Sequence, residues 1–260
     1  MGDNTEGLSR AEFKSYVNSL GLDCISFHSL KDDAMLSFGQ EMGARFTDIR
    51  PAENLKTVED VKRPADELNR QARHIAKYGK KAVVHNHATE FRRPADSPDL
   101  STYELLLLNT DPEYVGFELD IGWAQLAGVN CGELIRKYAG RFPLLHVKQC
   151  NRLAKSDDEL EHFPKFVMEM MKGQTAAGDN TNFIKGAPAF SPEQMEILYE
   201  SRNWNVSLGE GLVDWADIRS AAEAQGVAAY INEREYYTIG GKKLTPLECA
   251  RMDCDFLKQL

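Results

Sequence analysis

Leu144-Leu145-His146-Val147-Lys148-Gln149-Cys150 is the stretch that decides the fold. Its short apolar run predicts a buried strand, and side chains two residues apart on a strand face the same side. His146 and Lys148 should therefore point together from the carboxyl end of that strand. In parallel α/β folds, functional groups collect at this end of the sheet.

The same pattern of a short apolar run followed by a helical pattern occurs repeatedly before residue 144. Such alternation is typical of parallel βα units with right-handed crossovers. We therefore predict an α/β fold that forms a single domain over residues 1–260, with its parallel strands arranged either as a TIM-type (β/α) barrel or as an open sheet. Residues 1–8 contain too few apolar side chains for a convincing strand, so we expect the first strand to be lacking or replaced.

Residues 151–203 interrupt the alternation with two predicted helices and a loop that contains glycine and asparagine. We interpret this stretch as a helical insertion after the His146 strand. An insertion at this point should lie over the site as a lid or as an oligomer contact.

The composition restricts the partners. The net charge of −9 would repel a phosphate backbone, which argues against nucleic-acid binding. No apolar run approaches the roughly 18 residues that would span a bilayer. The five cysteines are scattered without CxxC spacing, which indicates reduced thiols and predicts a cytoplasmic protein.

Several predicted strands end in side chains that can bind metal. Carboxylates and imidazoles without thiols suit Mn²⁺, Mg²⁺, Co²⁺ or Zn²⁺. One histidine at a strand end is usually hydrogen-bonded packing, but acids and histidines at successive strand ends predict a divalent metal site. His28 and Arg50 end earlier strands and are candidates for binding hydroxyls or a phosphate. The metal-competent residues are His85, His87, Glu90, Asp120, His146, Glu233 and Glu235.

Four motifs follow one another: His85-Asn86-His87 with Glu90-Phe91, Glu118-Leu119-Asp120-Ile121-Gly122-Trp123, Leu145-His146-Val147-Lys148, and Leu208-Gly209-Glu210-Gly211-Leu212-Val213-Asp214-Trp215. Together they resemble the sugar phosphate isomerase/epimerase family, whose fold is the xylose-isomerase-like TIM barrel. The step of 26 residues from Asp120 to His146 is similar to the family's ligand spacing. Gln149 stands where the family has an acid.

The resemblance implies a divalent metal, with Mn²⁺ favoured, held by Glu, Asp, His and Glu from four strands. Asp120, His146 and Glu233 match three of these ligands. Glu90 is our candidate for the first ligand, although His85 or His87 can take its place.

The function implied is a metal-dependent isomerase or epimerase that acts on a keto-sugar or related polyol through an enediolate. Glu233 and Glu90 are the candidate acid/base pair, with His87 as an alternate base and Lys148 near the developing oxyanion. His28, Arg50, His85 and Glu235 are candidates for binding substrate.

Two alternatives stay open. The same enediolate can expel a leaving group, which would make the chain a lyase or dehydratase, including one that cleaves 3-keto-glycosides. The chain could instead be a non-catalytic subunit of a larger complex, and either a homo-oligomer or a hetero-oligomer is compatible with the sequence.

Overall fold

The structure, a computed structural model, describes residues 5, 7–28, 32–51, 55–161, 192–193, 196–197, 201, 203–234, 238–239 and 242–260. Its main element is a sheet of six parallel strands. These strands are β1 (Ser26–Phe27), β2 (Phe46–Ile49), β3 (Lys81–His85), β4 (Val115–Asp120), β5 (Leu144–Val147) and β8 (Ala229–Asn232), and they lie side by side in this order.

Helices follow the strands along the chain, and side-chain caps fix where several begin. Ser9, Thr57, Ser101 and Thr245 each form a capping box, in which the cap hydroxyl and an acid three residues later satisfy backbone N–H groups. The helices are α1 (Arg10–Ser19), α2 (Asp33–Met42), α3 (Val58–Ala76), α4 (Thr102–Asn109), α5 (Ile121–Leu126), α6 (Cys131–Lys137), α7 (Trp215–Gln225) and α8 (Pro246–Leu257). Short 3₁₀ turns cover Thr89–Phe91 and Asp157–Leu160.

The sheet has two different faces because side chains alternate along each strand. Phe117 and Leu119 of β4 pack with the helices in the main core. Phe46, Val83 and Leu144 form a smaller apolar cluster on the inner face, with Ile231 packed against it. This inner layer lies below the polar ends of the same strands, so it supports the candidate site from beneath.

The predicted α/β fold with a TIM-type parallel sheet is confirmed. A complete TIM barrel has eight strands, whereas the described residues supply a half-barrel of six. Within the described ranges, β1 and β8 are therefore the edge strands of the sheet. The edge position of β8 leaves Tyr230 44% exposed.

Two short antiparallel pairs lie outside the main sheet. β6 (Gln149–Cys150) pairs with β7 (Asn205–Val206), and β9 (Thr238–Ile239) pairs with β10 (Lys242–Lys243). The first pair joins the two ends of 151–203. Most of that stretch lies outside the described residues, so the helical insertion stays a prediction, as does the single domain. No helix in the described ranges is long and apolar enough to cross a membrane.

Candidate metal site

Strand register brings the predicted residues together at the carboxyl end of the sheet. His85 on β3 pairs with Glu118 on β4, and Asp120 pairs with His146 on β5. Glu118 and Asp120 are two residues apart and face the same side. The strand ends therefore place two imidazoles and two carboxylates in one small volume.

His85, Asp120 and His146 form the first group of possible metal ligands. Each offers one ligand atom, and these atoms all lie within 4.8 Å of one another. His85 Nε2 and His146 Nδ1 are both 3.6 Å from Asp120 Oδ2. Of the three candidates for the first ligand, His85 is the one that the structure brings into this group.

His28, Glu118 and His146 form a second group, which shares His146 with the first. Glu118 is fully buried, and its Oε1 lies 2.6 Å from His146 Nε2. The two ring nitrogens of His146 thus face different carboxylates. Sequence reasoning gave Glu118 no role, although its position two residues before Asp120 on a strand was a usable signal.

Lys148 and Glu233 border the first group. Lys148 Nζ is 3.1 Å from Asp120 Oδ2 and 3.0 Å from Glu233 Oε2, and Glu233 Oε2 is 3.1 Å from His146 Nδ1. Lys148 is only 1% exposed, whereas the side chain of Glu233 is 44% exposed. Glu233 is therefore the acid of this cluster that a ligand from solvent can reach.

The charges hold each other in their ionised forms. Burial opposes the ionisation of Asp120, but Lys148, His146 and His85 keep its pKa well below the usual value. Burial likewise disfavours the charged form of His146, yet Asp120, Glu118 and Glu233 raise its pKa to about 11. The pKa of Glu233 is lowered in the same way, because His146 and Lys148 outweigh its burial.

His87 is kept neutral. Burial, and then the nearby His85, lower its pKa to about 3. Its ring packs against Trp123 in a T-shaped contact with 5.5 Å between the ring centroids, and Trp123 makes a second T-shaped contact with Trp204 at 4.6 Å. Because its pKa is this low, the imidazole of His87 accepts a proton only weakly, although it can still donate or accept a hydrogen bond.

Glu90 belongs to the turn after β3, and neither ligand group found among the described residues includes it. Its Oε2 accepts hydrogen bonds from the backbone N–H of His87 at 2.9 Å and from the Thr89 hydroxyl at 3.2 Å. The buried side chain of Asn86 ties this turn to β4, because it accepts from the backbone N–H of Asp120 at 2.9 Å and donates to its carbonyl at 3.3 Å. Sequence reasoning assigned no role to Asn86.

The proposed substrate-binding residues of the first strands lie at the edge of the site. The side chains of His28 and Arg50 are 50% and 65% exposed. Buried Asp48, which the sequence did not single out, lies between them, at 3.8 Å from His28 Nδ1 and 3.3 Å from Arg50 Nε. Glu235 lies outside the described residues.

The side chain of Gln149 has a structural role that was not predicted from the sequence. Its side-chain oxygen accepts from the backbone N–H groups of Cys150 at 3.0 Å and Val213 at 3.2 Å. A Cβ atom on Gly211 would clash with the carbonyl oxygen of Cys150. The loop that contains Glu210 therefore packs directly on the chain after β5, and Glu210 itself is exposed.

The donor set fits a divalent metal ion. His85 Nε2 is buried without a hydrogen bond within the described part of the chain, and buried Asp120 Oδ2 lies 3.6 Å from both His85 Nε2 and His146 Nδ1. Buried polar atoms without a hydrogen bond are costly, and a cation between these atoms would compensate them. Carboxylates with imidazoles are ligands for borderline or hard divalent ions. The fold and the site together define an α/β protein of TIM-barrel type with a candidate divalent-metal site at its strand ends.

Comparison with solved structures identifies proteins that share this fold. A sugar phosphate isomerase/epimerase from Parabacteroides distasonis superposes with a TM-score of 0.65 at 22% identity, covering 99% of this chain and 78% of the other. The IolI protein with a bound zinc atom gives 0.60 at 14% identity, covering 98% and 82%. The 3-keto-D-glucoside 4-epimerase of E. coli gives 0.58 at 10% identity, covering 96% and 84%.

The resemblance predicted from the motifs is thus confirmed at the level of the xylose-isomerase-like fold, because structures with these names share it. No protein-family model matches the chain, and no curated protein matches it. At these identities the likeness establishes the fold.

Proposed function

We propose that the chain is a divalent-metal-dependent isomerase or epimerase of a keto-sugar or related polyol. The observation that carries the proposal is the convergence of His85, Asp120 and His146 at the carboxyl ends of three adjacent strands. Neighbours in fold named as isomerases or epimerases support the same class. Asp120, His146 and Glu233 are the proposed ligands, with His85 rather than Glu90 best placed to complete the set.

A bound divalent ion would supply Lewis acidity that acidifies a C–H next to a carbonyl and stabilises the enediolate. Glu233 is the proposed base. Its partly exposed carboxylate can meet a substrate, and its lowered pKa keeps it ionised at neutral pH. Glu90, in the turn after β3, is proposed to return the proton. The low pKa of His87 makes that imidazole the less suitable alternate.

Lys148 is proposed to place positive charge beside the oxygen that becomes negative. Its ammonium group lies 5.5 Å from the centre of the Trp123 ring, away from bulk solvent. Charge in a site that excludes water interacts more strongly with a developing oxyanion than charge in solution. His28 and Arg50 are proposed to bind substrate hydroxyls or a phosphate at the open edge.

The test combines metal analysis of the purified protein with a screen of keto-sugars, including 3-keto-glycosides, in which products are identified by NMR. We expect about one divalent ion per chain and an epimer or isomer as product. His146→Ala should lose both the metal and the activity, whereas the matched variant Glu104→Gln, away from the site, should keep both. Absence of both metal and turnover in the unmodified protein would contradict the proposal.

The same screen decides between the alternatives. An unsaturated product in place of an epimer would identify a lyase. Turnover by the purified chain alone would exclude a non-catalytic subunit.

A further inference from the structure

Glu118 is one of the two fully buried acids of the site, beside Asp120, and no step of the proposed mechanism uses it. It is 0% exposed and lies two residues before Asp120 on β4. Its Oε1 is 2.6 Å from His146 Nε2, and among the described residues neither atom has a hydrogen bond to any other group. A carboxyl group this deep needs a partner, and His146 is the one that the structure provides.

The two ring nitrogens of His146 differ in their distance from the neighbouring carboxylate oxygens. Two atoms that bind one divalent ion at about 2.1 Å lie roughly 3.0 Å apart at a right angle and roughly 3.5 Å apart at a tetrahedral angle. His146 Nδ1 and His85 Nε2 are each 3.6 Å from Asp120 Oδ2, which suits an ion held between them. The 2.6 Å between His146 Nε2 and Glu118 Oε1 is too short to bridge an ion.

We propose that Glu118 is a positioning residue, which holds His146 with Nε2 toward Glu118 and Nδ1 toward the ion position beside Asp120. This inference rests on the proposed metal dependence. A carboxylate that accepts the proton of the second ring nitrogen fixes the tautomer and the orientation of a metal-binding histidine and makes it a stronger ligand. The depth of Glu118 in the inner face keeps substrate and solvent away from this contact.

The competing arrangement has Glu118 itself as a ligand, together with His28 and His146. His28 is a poor partner for it, because its side chain is 50% exposed and lies 3.8 Å from Asp48. In that arrangement His146 would bind the ion through Nε2. Identifying the ring nitrogen of His146 that binds the ion therefore distinguishes this arrangement from the proposed one.

The first experiment uses the unmodified protein loaded with Zn²⁺, which is diamagnetic. Two-dimensional ¹H–¹⁵N spectra of the imidazole nitrogens, with His146 assigned by its absence in His146→Gln, report which nitrogen binds. We expect coordination at Nδ1 and a proton on Nε2. Coordination at Nε2 would overturn the inference while leaving the metal-dependent function intact, whereas absence of Zn²⁺ binding would overturn both.

The second experiment compares Zn²⁺ affinity, by calorimetric titration, in variants whose folding is verified by thermal unfolding. Glu118→Met removes the acceptor and should weaken binding roughly 10- to 100-fold, the usual effect of losing such a partner. Glu118→Gln keeps an acceptor oxygen and should recover much of that loss, and Glu104→Gln, away from the site, should leave the Zn²⁺ affinity unchanged. Wild-type affinity in Glu118→Met, or a loss in Glu118→Gln as large as that in Asp120→Asn, would overturn the inference.

Discussion

Lys148 Nζ lies 3.1 Å from Asp120 Oδ2, and neither side chain is more than 1% exposed. The ammonium group therefore contacts a carboxylate that is also a proposed metal ligand. A buried cation at this distance repels a divalent ion and competes with it for the same oxygen. Lys148 is thus expected to reduce metal affinity while it contributes charge to the reaction.

Lys148→Met tests this opposition, because methionine keeps the stem of the side chain and removes the charge. We expect metal affinity to rise by about tenfold and turnover to fall by at least that factor. Calorimetric titration and steady-state kinetics measure the two effects separately. Lys62→Met, on the exposed face of α3, is the control. A fall in metal affinity would mean that Lys148 organises the carboxylates instead of competing for them.

Gly122 makes room for the Lys148 side chain at the start of α5. A side chain at this position would meet Lys148 Cγ at 2.6 Å, Cβ at 2.8 Å and Cδ at 3.0 Å. Gly122→Ala should therefore displace Lys148 and lower the free energy of unfolding by about 1–3 kcal/mol, as overpacking does. Because Lys148→Ala removes Cγ and Cδ, the double variant should lose less than the sum of the single losses in chemical denaturation. Strict additivity would show that the two positions do not interact.

The candidate site residues predicted from the sequence lie at the ends of strands. Parallel strands and a side-chain period of two suffice to predict that His85, Asp120, His146 and Lys148 meet. Glu118 and Asp48 were missed because the inner face continues one step deeper than the strand ends. The spacing of Glu118 from Asp120 was a local signal, whereas the burial of Asp48 depends on the packing of neighbouring strands.

Other features depended on neighbours that a sequence does not show. The capping box of Ser9 and Glu12 is a local feature, because the two residues lie three positions apart at the start of α1. Whether a helix is buried depends on elements that are distant in the sequence. In α1 no residue is buried, and Tyr16 is 57% exposed. The orientation of Glu90 is likewise set by the tight turn that it caps, which spacing along the chain does not determine.

The buried ion pair between Arg234 and Asp253 attaches α8 to the end of the last parallel strand. Asp253 also accepts a hydrogen bond from the backbone N–H of Leu208 at 3.1 Å. Asp253→Ala would leave the Arg234 charge buried without its partner, so we expect a loss of about 3–5 kcal/mol in the free energy of unfolding by urea. Asp255→Ala, two residues along on the exposed side of α8, should cost less than about 1 kcal/mol. Equal losses for the two variants would contradict the prediction.

Glu104 gives the stability of the helical layer a defined dependence on pH. Burial alone would raise its pKa, but hydrogen bonds from Lys137, Ser101 and Tyr138 hold the pKa below the usual value of 4.5. Because the folded-state pKa lies below the unfolded one, the carboxylate contributes stability above the unfolded pKa. This contribution is lost as the pH falls through the folded pKa.

Glu104→Gln should therefore lower the free energy of unfolding by about 1 kcal/mol at neutral pH, and the difference from wild type should shrink below about pH 4.5. Urea denaturation at a series of pH values measures it. Glu59→Gln, at a carboxylate 80% exposed beside Lys62, should show no comparable dependence. A difference for Glu104→Gln that stays constant down to about pH 3 would assign the loss to packing instead of charge.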